Sequence, residues 1–277
     1  MKTILVPTDF SISADSAVHY AVKMALLWDA TLILYHSFIP FESGFYLLSH
    51  NEKENMEAHK KLMNRLIAMK NTIEKKNTNL SVSIHVDQGP EGIKIIDFCK
   101  KSKADLIIMG TKGASGLKEK LIGSFTAEVM TNAPCRVLAI PNKYKFKVPE
   151  KITYATNYSK KDKKVLQSLL EFNRLFNVTI NILHVDWGTT LFTADEEYDR
   201  YKKTIQNRFK DFKFTFNHTV GKDISKTILE ETQIDKTDMI VMNPLKRKGI
   251  WNRIFHRSVT KKIVYHIPIP LLTIPIK

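Results

Sequence analysis

The chain has 277 residues, of which 43% are hydrophobic and 26% charged, and its formal net charge is +15. This balance is typical of a globular protein with two ordinary domains or one large one. No apolar run approaches the ~20 residues of a membrane helix, the first residues lack the apolar core of a signal peptide, and two cysteines are too few for a disulfide framework. We therefore expect a cytoplasmic location.

Hydrophobic patterning in the first half of the chain predicts five strands that alternate with four helices. In chain order, the predicted strands are residues 3–8, 31–36, 80–86, 106–109 and 136–140. The predicted helices begin at Ser11 or Ser13, span 52–76, follow Gly92 and span 124–132. Apolar and polar residues alternate along 80–86, which predicts a half-buried strand near a sheet edge.

Four sequence blocks recur in the same order in the second half of the chain. Residues 2–11 resemble 151–159, residues 31–36 resemble 179–184, residues 104–110 resemble 237–243, and residues 137–141 resemble 271–275. A repeat of this length indicates two copies of one domain rather than a solenoid. We place the domains at 1–144 and 149–277, joined by a short polar linker near 142–150.

The order of the elements predicts an α/β fold. Each copy should form a doubly wound, five-stranded parallel sheet with helices on both faces. Ligands bind such sheets outside the carboxyl ends of the strands, where the strand order reverses. Residues 7–9, residues 36–37 and the loop after Met109 meet this description.

The loop after Met109 carries four glycines and leads into a predicted helix at Ser124. Glycine lets backbone N–H groups approach an anion, and the N-terminus of a helix favours phosphate. A phosphate site and an ordinary flexible turn both fit these residues.

The spacing of this loop resembles the nucleotide-binding pattern of the universal stress protein family, Gly-x2-Gly-x9-Gly-Ser/Thr. Gly110, Gly113, Gly123 and Ser124 stand at the required positions. The family also ends its first strand in an acidic residue, here Asp9. The resemblance covers nearly the whole chain in two copies, and it marks the ATP-binding branch of the family.

The resemblance implies a set of nucleotide-binding residues in the first copy. Pro7, Thr8 and Asp9 would border the adenine and ribose, and the backbone at Ser37 would meet the adenine edge. Met109, Gly110, Thr111 and Gly113 would line the ribose and phosphates, and Gly123, Ser124, Phe125 and Thr126 would hold the phosphates. The ligand would be ATP, or AMP or ADP, with Mg²⁺ carried on the phosphates rather than in a protein cage.

Two of these positions also have a structural interpretation. Asp9 suits a cap of the first helix as well as a contact to nucleotide. His36 ends the second strand, and His184 stands at the same place in the second copy. A histidine kept where the rest of the site is lost is expected to pack and hydrogen-bond rather than catalyse.

The second copy departs from the pattern. Asn157 replaces the acidic residue, and Asn243, Lys246 or Arg247, and Arg257 replace the three glycines. We expect no nucleotide there in the ordinary pose, because side chains occupy places where a phosphate needs bare backbone. The basic cluster, which includes Lys246, Arg247, Arg253 and Arg257, is either a solvated face or a site for an acidic protein or other anionic partner.

The leading functional hypothesis is an ATP-binding protein of stress response or regulation, with one nucleotide site per chain. A slow ATPase or nucleotidyl-transferring enzyme on the same fold is one alternative, and we expect little or no hydrolysis. Nucleic-acid binding is another, because residues 145–277 carry +11 of the charge and residues 1–144 only +4.

The last strand of each copy should lie at a sheet edge, where unpaired N–H and C=O groups invite pairing. Single-domain members of the family that the chain resembles dimerise through this last strand, so the resemblance implies that the two strands pair antiparallel within one chain as an internal pseudo-dimer. Two chains would then associate, if at all, through another surface.

Overall fold

The computed structural model describes residues 2–42, 48–111, 124–159, 161–186, 194–244 and 267–276. The strands are β1 (Thr3–Pro7), β2 (Thr31–Phe38), β3 (Val82–Gln88), β4 (Leu106–Gly110), β5 (Arg136–Ile140), β6 (Ile152–Thr156), β7 (Ile180–Asp186), β8 (Phe214–Val220), β9 (Met239–Met242) and β10 (Leu271–Thr273). The helices are α1 (Ile12–Trp28), α2 (Leu48–Lys76), α3 (Glu91–Ser102), α4 (Ser124–Asn132), α5 (Asp162–Asn173), α6 (Ala194–Arg208) and α7 (Ile224–Ile234).

All ten strands form one sheet in the order β3-β2-β1-β4-β5-β10-β9-β6-β7-β8. Within each half of this sheet neighbouring strands are parallel. The chain winds outwards from the first strand of each copy in both directions, which confirms the predicted tandem α/β fold.

The two halves join through their last strands. β10 pairs antiparallel with β5, and Leu272 lies opposite Leu138. The predicted internal pairing of the final strands is therefore confirmed. Both leucines are fully buried, because each closes the edge that the other would leave open.

Helices cover both faces of the sheet. Along β1, Ile4 and Val6 pack in one apolar cluster with α1 and α2, whereas Leu5 packs in a second cluster with α3 and α4. This alternation follows from the two-residue period of a strand. Among the described residues, none of the helices is both long and apolar enough to span a membrane.

Several element boundaries differ from the sequence predictions. Leu80 lies before β3 and not in it, because its N–H donates to the Asn77 carbonyl in a turn. β2 and β3 extend to Phe38 and Gln88, which pair with each other at the outer end of the ladder. α2 begins at Leu48, four residues before the predicted start. The edge position predicted for β3 is confirmed.

Candidate functional site

The carboxyl ends of β1, β2 and β4 meet at one edge of the first half-sheet. β1 lies between β2 and β4 and pairs with both. The chain leaves β1 towards α1 on one face and leaves β4 towards α4 on the other. This is the point where the strand order reverses, and a crevice is expected there.

The turn after β1 is held by its own side chains. The Thr8 hydroxyl accepts a hydrogen bond from the Phe10 N–H at 3.0 Å, and the Asp9 carboxylate accepts one from the Ser11 N–H at 3.0 Å. Ser11, and not Asp9, caps α1, since its hydroxyl accepts from the Ala14 N–H. Asp9 therefore supports the turn that precedes the helix.

His36 and Ser37 lie near the carboxyl end of β2. His36 Nδ1 lies 2.6 Å from the Thr8 carbonyl oxygen, so Nδ1 carries the proton that is donated. His184 makes the same contact to the Thr156 carbonyl at 2.9 Å in the second domain. The expected hydrogen-bonded role of this histidine is confirmed. Ser37 is buried beside it.

Gly110 ends β4 against the first turn of α1. A Cβ at this position would lie 2.5 Å from Ser13 Oγ and 2.7 Å from the Ser13 carbonyl oxygen. Since one of these neighbours is backbone, the chain has no space for a side chain here. The Thr126 hydroxyl donates to the Gly110 carbonyl at 2.9 Å and ties the start of α4 to the end of β4.

The other predicted residues fall on both sides of this edge. Pro7, Met109 and Thr111 are buried, and the Thr111 N–H donates to the Ile140 carbonyl at 3.0 Å. Ser124 is the first residue of α4, and the Phe125 side chain packs against the core on the α3–α4 face. Gly113 and Gly123 lie outside the described residues, as does the basic cluster of the second copy.

Two charged residues that the sequence analysis did not single out lie near this sheet edge. The Arg65 guanidinium lies over the Phe10 ring, 3.8 Å from its centroid. Burial raises the pKa of the Glu91 carboxyl above its ordinary value, His36 opposes the rise, and Asp9 adds to it. Glu91 follows β3 at the same sheet edge, so the carboxyl-end rule would have found it. No local pattern distinguishes Arg65 within its charged helix.

Aromatic rings cluster at the matching sheet edge of the second domain. Tyr158 adopts the same left-handed backbone as Phe10, with φ of 55° and 60°. Its ring stacks on His184 with centroids 4.0 Å apart, and Tyr201 lies 4.6 Å from it. His218 approaches His184 edge to face at 5.1 Å. In the first domain Phe10 and His36 hold the two matching positions, with ring centroids 5.1 Å apart.

A buried carboxylate supports this aromatic cluster. Asp162 accepts hydrogen bonds from the hydroxyls of Tyr154, Thr156 and Tyr201. Burial raises the pKa of Asp162, and the three hydroxyl donors oppose the rise. The residue is only 1% exposed.

We expect Asp162→Leu to lower the free energy of unfolding by about 3 kcal/mol, because three buried hydroxyls lose their acceptor. Asp162→Asn keeps one acceptor oxygen and should cost about 1 kcal/mol. Since the pKa is raised in the folded state, the stability of the wild type relative to Asp162→Asn should fall as pH rises above 3.8 towards the folded pKa. Urea unfolding at several pH values measures both effects, with Asp211→Asn at an exposed turn as the control. An Asp162→Leu protein as stable as the wild type would contradict the assignment.

Comparison with known proteins gives the relationship of the chain. A sequence profile of the universal stress protein family matches residues 1–141. A universal stress protein of Methanocaldococcus jannaschii is 33% identical over 149 residues, which cover 50% of this chain and 81% of that protein. A second one from the same organism is 30% identical over 155 residues, which cover 51% and 96%.

The likeness in structure extends along the whole chain. The crystal structure of a universal stress protein from Archaeoglobus fulgidus has a TM-score of 0.76 and covers 99% of this chain and 98% of its own. At 16% identity this likeness shows the fold alone. The family assignment therefore rests on the profile match and on the two archaeal relatives. The profile matches half of the length of the chain, and the chain therefore belongs to the universal stress protein family.

Proposed function

We propose that the first domain binds one adenine nucleotide at the carboxyl ends of β1, β2 and β4. The observation that carries this proposal is the hydrogen bond from the Thr126 hydroxyl to the Gly110 carbonyl at 2.9 Å, which places the first turn of α4 beside the carboxyl end of β4. Ser124 begins this turn. Free N–H groups and the helix dipole at such a turn favour a phosphate.

Each side of the crevice has a separate role in this proposal. The Asp9 carboxylate accepts a hydrogen bond from a ribose hydroxyl, and the backbone at Ser37 meets the adenine edge. Backbone N–H groups at Gly123, Ser124 and Thr126 hold the phosphates, and Mg²⁺ rides on the phosphates. The Thr126 hydroxyl is already engaged with the Gly110 carbonyl, so this residue contributes its backbone.

The second domain has a different role. Asn157 replaces the acidic residue, and Asn243 and Arg257 replace two of the glycines. We therefore propose one nucleotide per chain and a regulatory protein whose partner choice depends on occupancy of the first domain. The two domains share one continuous sheet.

Isothermal titration calorimetry with ATP and Mg²⁺ tests the proposal. The wild type should bind one ATP per chain, and Asp9→Asn should weaken binding about tenfold by removing a charge-assisted hydrogen bond. Asparagine can still accept from the Ser11 N–H, so the turn should survive. Asp15→Asn, on the exposed first turn of α1, is the matched control and should bind as the wild type does. Two equal sites, or no binding heat at all, would refute the proposal.

A further inference from the structure

A cavity of about 690 Å³ lies between the two domains, at the edge of the sheet opposite to the proposed nucleotide crevice. One wall comes from the turn between α3 and β4 and from Arg136 at the start of β5, and the other comes from Lys164 and Ser168 of α5. Cavities of this size at domain junctions are common ligand sites. Neither the family assignment nor the proposed nucleotide site uses this cavity.

The two halves of the sheet define a counterpart of this cavity. Ile4 pairs with Leu32 as Ile152 pairs with Ile180. The strands on either side of α1 and of α5 therefore align at one constant offset in sequence, and Ser168 of α5 corresponds to Tyr20 of α1. Ile4 also pairs with Leu106 as Ile152 pairs with Met239. The turn that precedes β4 therefore corresponds to the turn that precedes β9. The counterpart groove therefore lies between α1 and the turn that precedes β9.

The linker fills the counterpart groove. The Lys143 N–H donates to the Ser16 hydroxyl at 3.0 Å, and the Phe146 ring packs edge to face on Tyr20 at 4.9 Å. Lys147 forms an ion pair with Asp238, the counterpart of Asp105. This geometry accommodates a short stretch of polypeptide that belongs to neither a helix nor a strand.

The two grooves differ in charge. The cavity is lined by four cations, Lys100, Lys103, Arg136 and Lys164. By the same register, their counterparts are Gln233, Lys236, Pro270 and Ser16. At these four positions the counterpart groove has one cation, Lys236. The linker that it holds carries three lysines, Lys143, Lys145 and Lys147. Charge complementarity thus reverses at the cavity, which suits an acidic occupant.

The other groups of the cavity fit this assignment. Arg136 donates to Ser168 and to the Glu171 carboxylate at 2.8 Å, so it holds the two domains together at the cavity wall. Asp105 accepts hydrogen bonds from the backbone N–H groups of Lys2 and Thr3, which offset its charge. Lys164 is exposed, and the Arg136 guanidinium lies against Ser168, the counterpart of Tyr20.

We propose that this cavity binds an extended, acidic segment of a partner protein, which lies between the domains as the linker does in the counterpart groove. Specificity comes from Lys100, Lys103 and Lys164, because Arg136 is already engaged by Ser168 and Glu171. The site is independent of the nucleotide crevice.

Fluorescence anisotropy with two labelled peptides tests this proposal on the full chain. The probe is Asn-Glu-Tyr-Glu-Phe-Lys-Val, the linker sequence with its first two lysines replaced by glutamate. The third lysine is kept because Lys147 pairs with Asp238 and Asp105 holds that position in the cavity. The control peptide is the native Asn-Lys-Tyr-Lys-Phe-Lys-Val. The acidic peptide should bind and the native peptide should not. Lys100→Glu with Lys164→Glu should weaken binding at least about tenfold.

The matched control is Lys101→Glu with Lys163→Glu, which makes the same charge change one residue away on the same helices and outside the cavity lining. It should bind within about twofold of the wild type, as should Asp9→Asn. Equal losses in the two double variants would reduce the effect to net charge and overturn the proposal. Equal binding of the two peptides would overturn the proposal too. So would displacement of the acidic peptide by inorganic phosphate when chloride of equal ionic strength does not displace it.

Discussion

Gly123→Arg should lower the affinity of the chain for ATP at least about 100-fold, the loss expected when two backbone hydrogen bonds to a charged phosphate are removed. The change copies Arg257, which stands at the matching place in the second copy. Gly123 directly precedes Ser124, where α4 begins. A phosphate at this turn needs bare backbone, and a long side chain would occupy its place.

Titration calorimetry with ATP and Mg²⁺ measures this loss, and Gly113→Lys should act in the same direction. Gly116→Arg is the matched control, because it adds the same side chain to the same loop at a position outside the Gly-x2-Gly-x9-Gly-Ser pattern. The control should retain most of the affinity. A Gly123→Arg protein that binds ATP like the wild type would remove the glycine loop from the proposed site.

The separated first domain, residues 1–144, should associate with itself, whereas the full chain should not do so through the same strand. In the full chain β10 covers β5, and Trp28 packs edge to face on Phe172 at 5.1 Å. Removal of the second domain exposes the backbone of β5 and the Trp28 ring together. In the intact chain, the short linker holds the covering strand at an effective concentration on the order of millimolar.

Sedimentation velocity over a range of concentrations tests this expectation. The fragment should shift to larger species as its concentration rises, and the full chain serves as the comparison. Circular dichroism establishes that the fragment is folded before its association is interpreted. A folded fragment that remains monomeric at high concentration would show that β5 does not need a partner strand.

Much of the fold follows from local sequence. The apolar runs predicted β1, β2, β4 and β5, and the serine at position 11 marked the start of α1. The repeat of the same blocks indicated two domains, and an apolar last strand in each predicted the antiparallel pairing of β5 with β10. These inferences succeed because strand period, helix capping and edge pairing depend on residues close in sequence or on one general rule of sheets.

Side-chain neighbourhoods could be known only from the tertiary structure. Arg65 lies over Phe10 although more than fifty residues separate them, and Tyr158 meets Tyr201 across a similar interval. Nothing in either local segment specifies such contacts, because they depend on how helices cross the sheet.

The sequence by itself determined the family pattern of the glycine loop, the two copies and the loss of the glycines from the second. Only the tertiary structure decided that aromatic rings cluster at the sheet edge of the second domain, that the linker fills one interdomain groove, and that four cations line the other. The physical reason is that a surface between two domains is assembled from short segments distant in sequence. Its shape and charge therefore appear only when β5 and β10 bring the domains together.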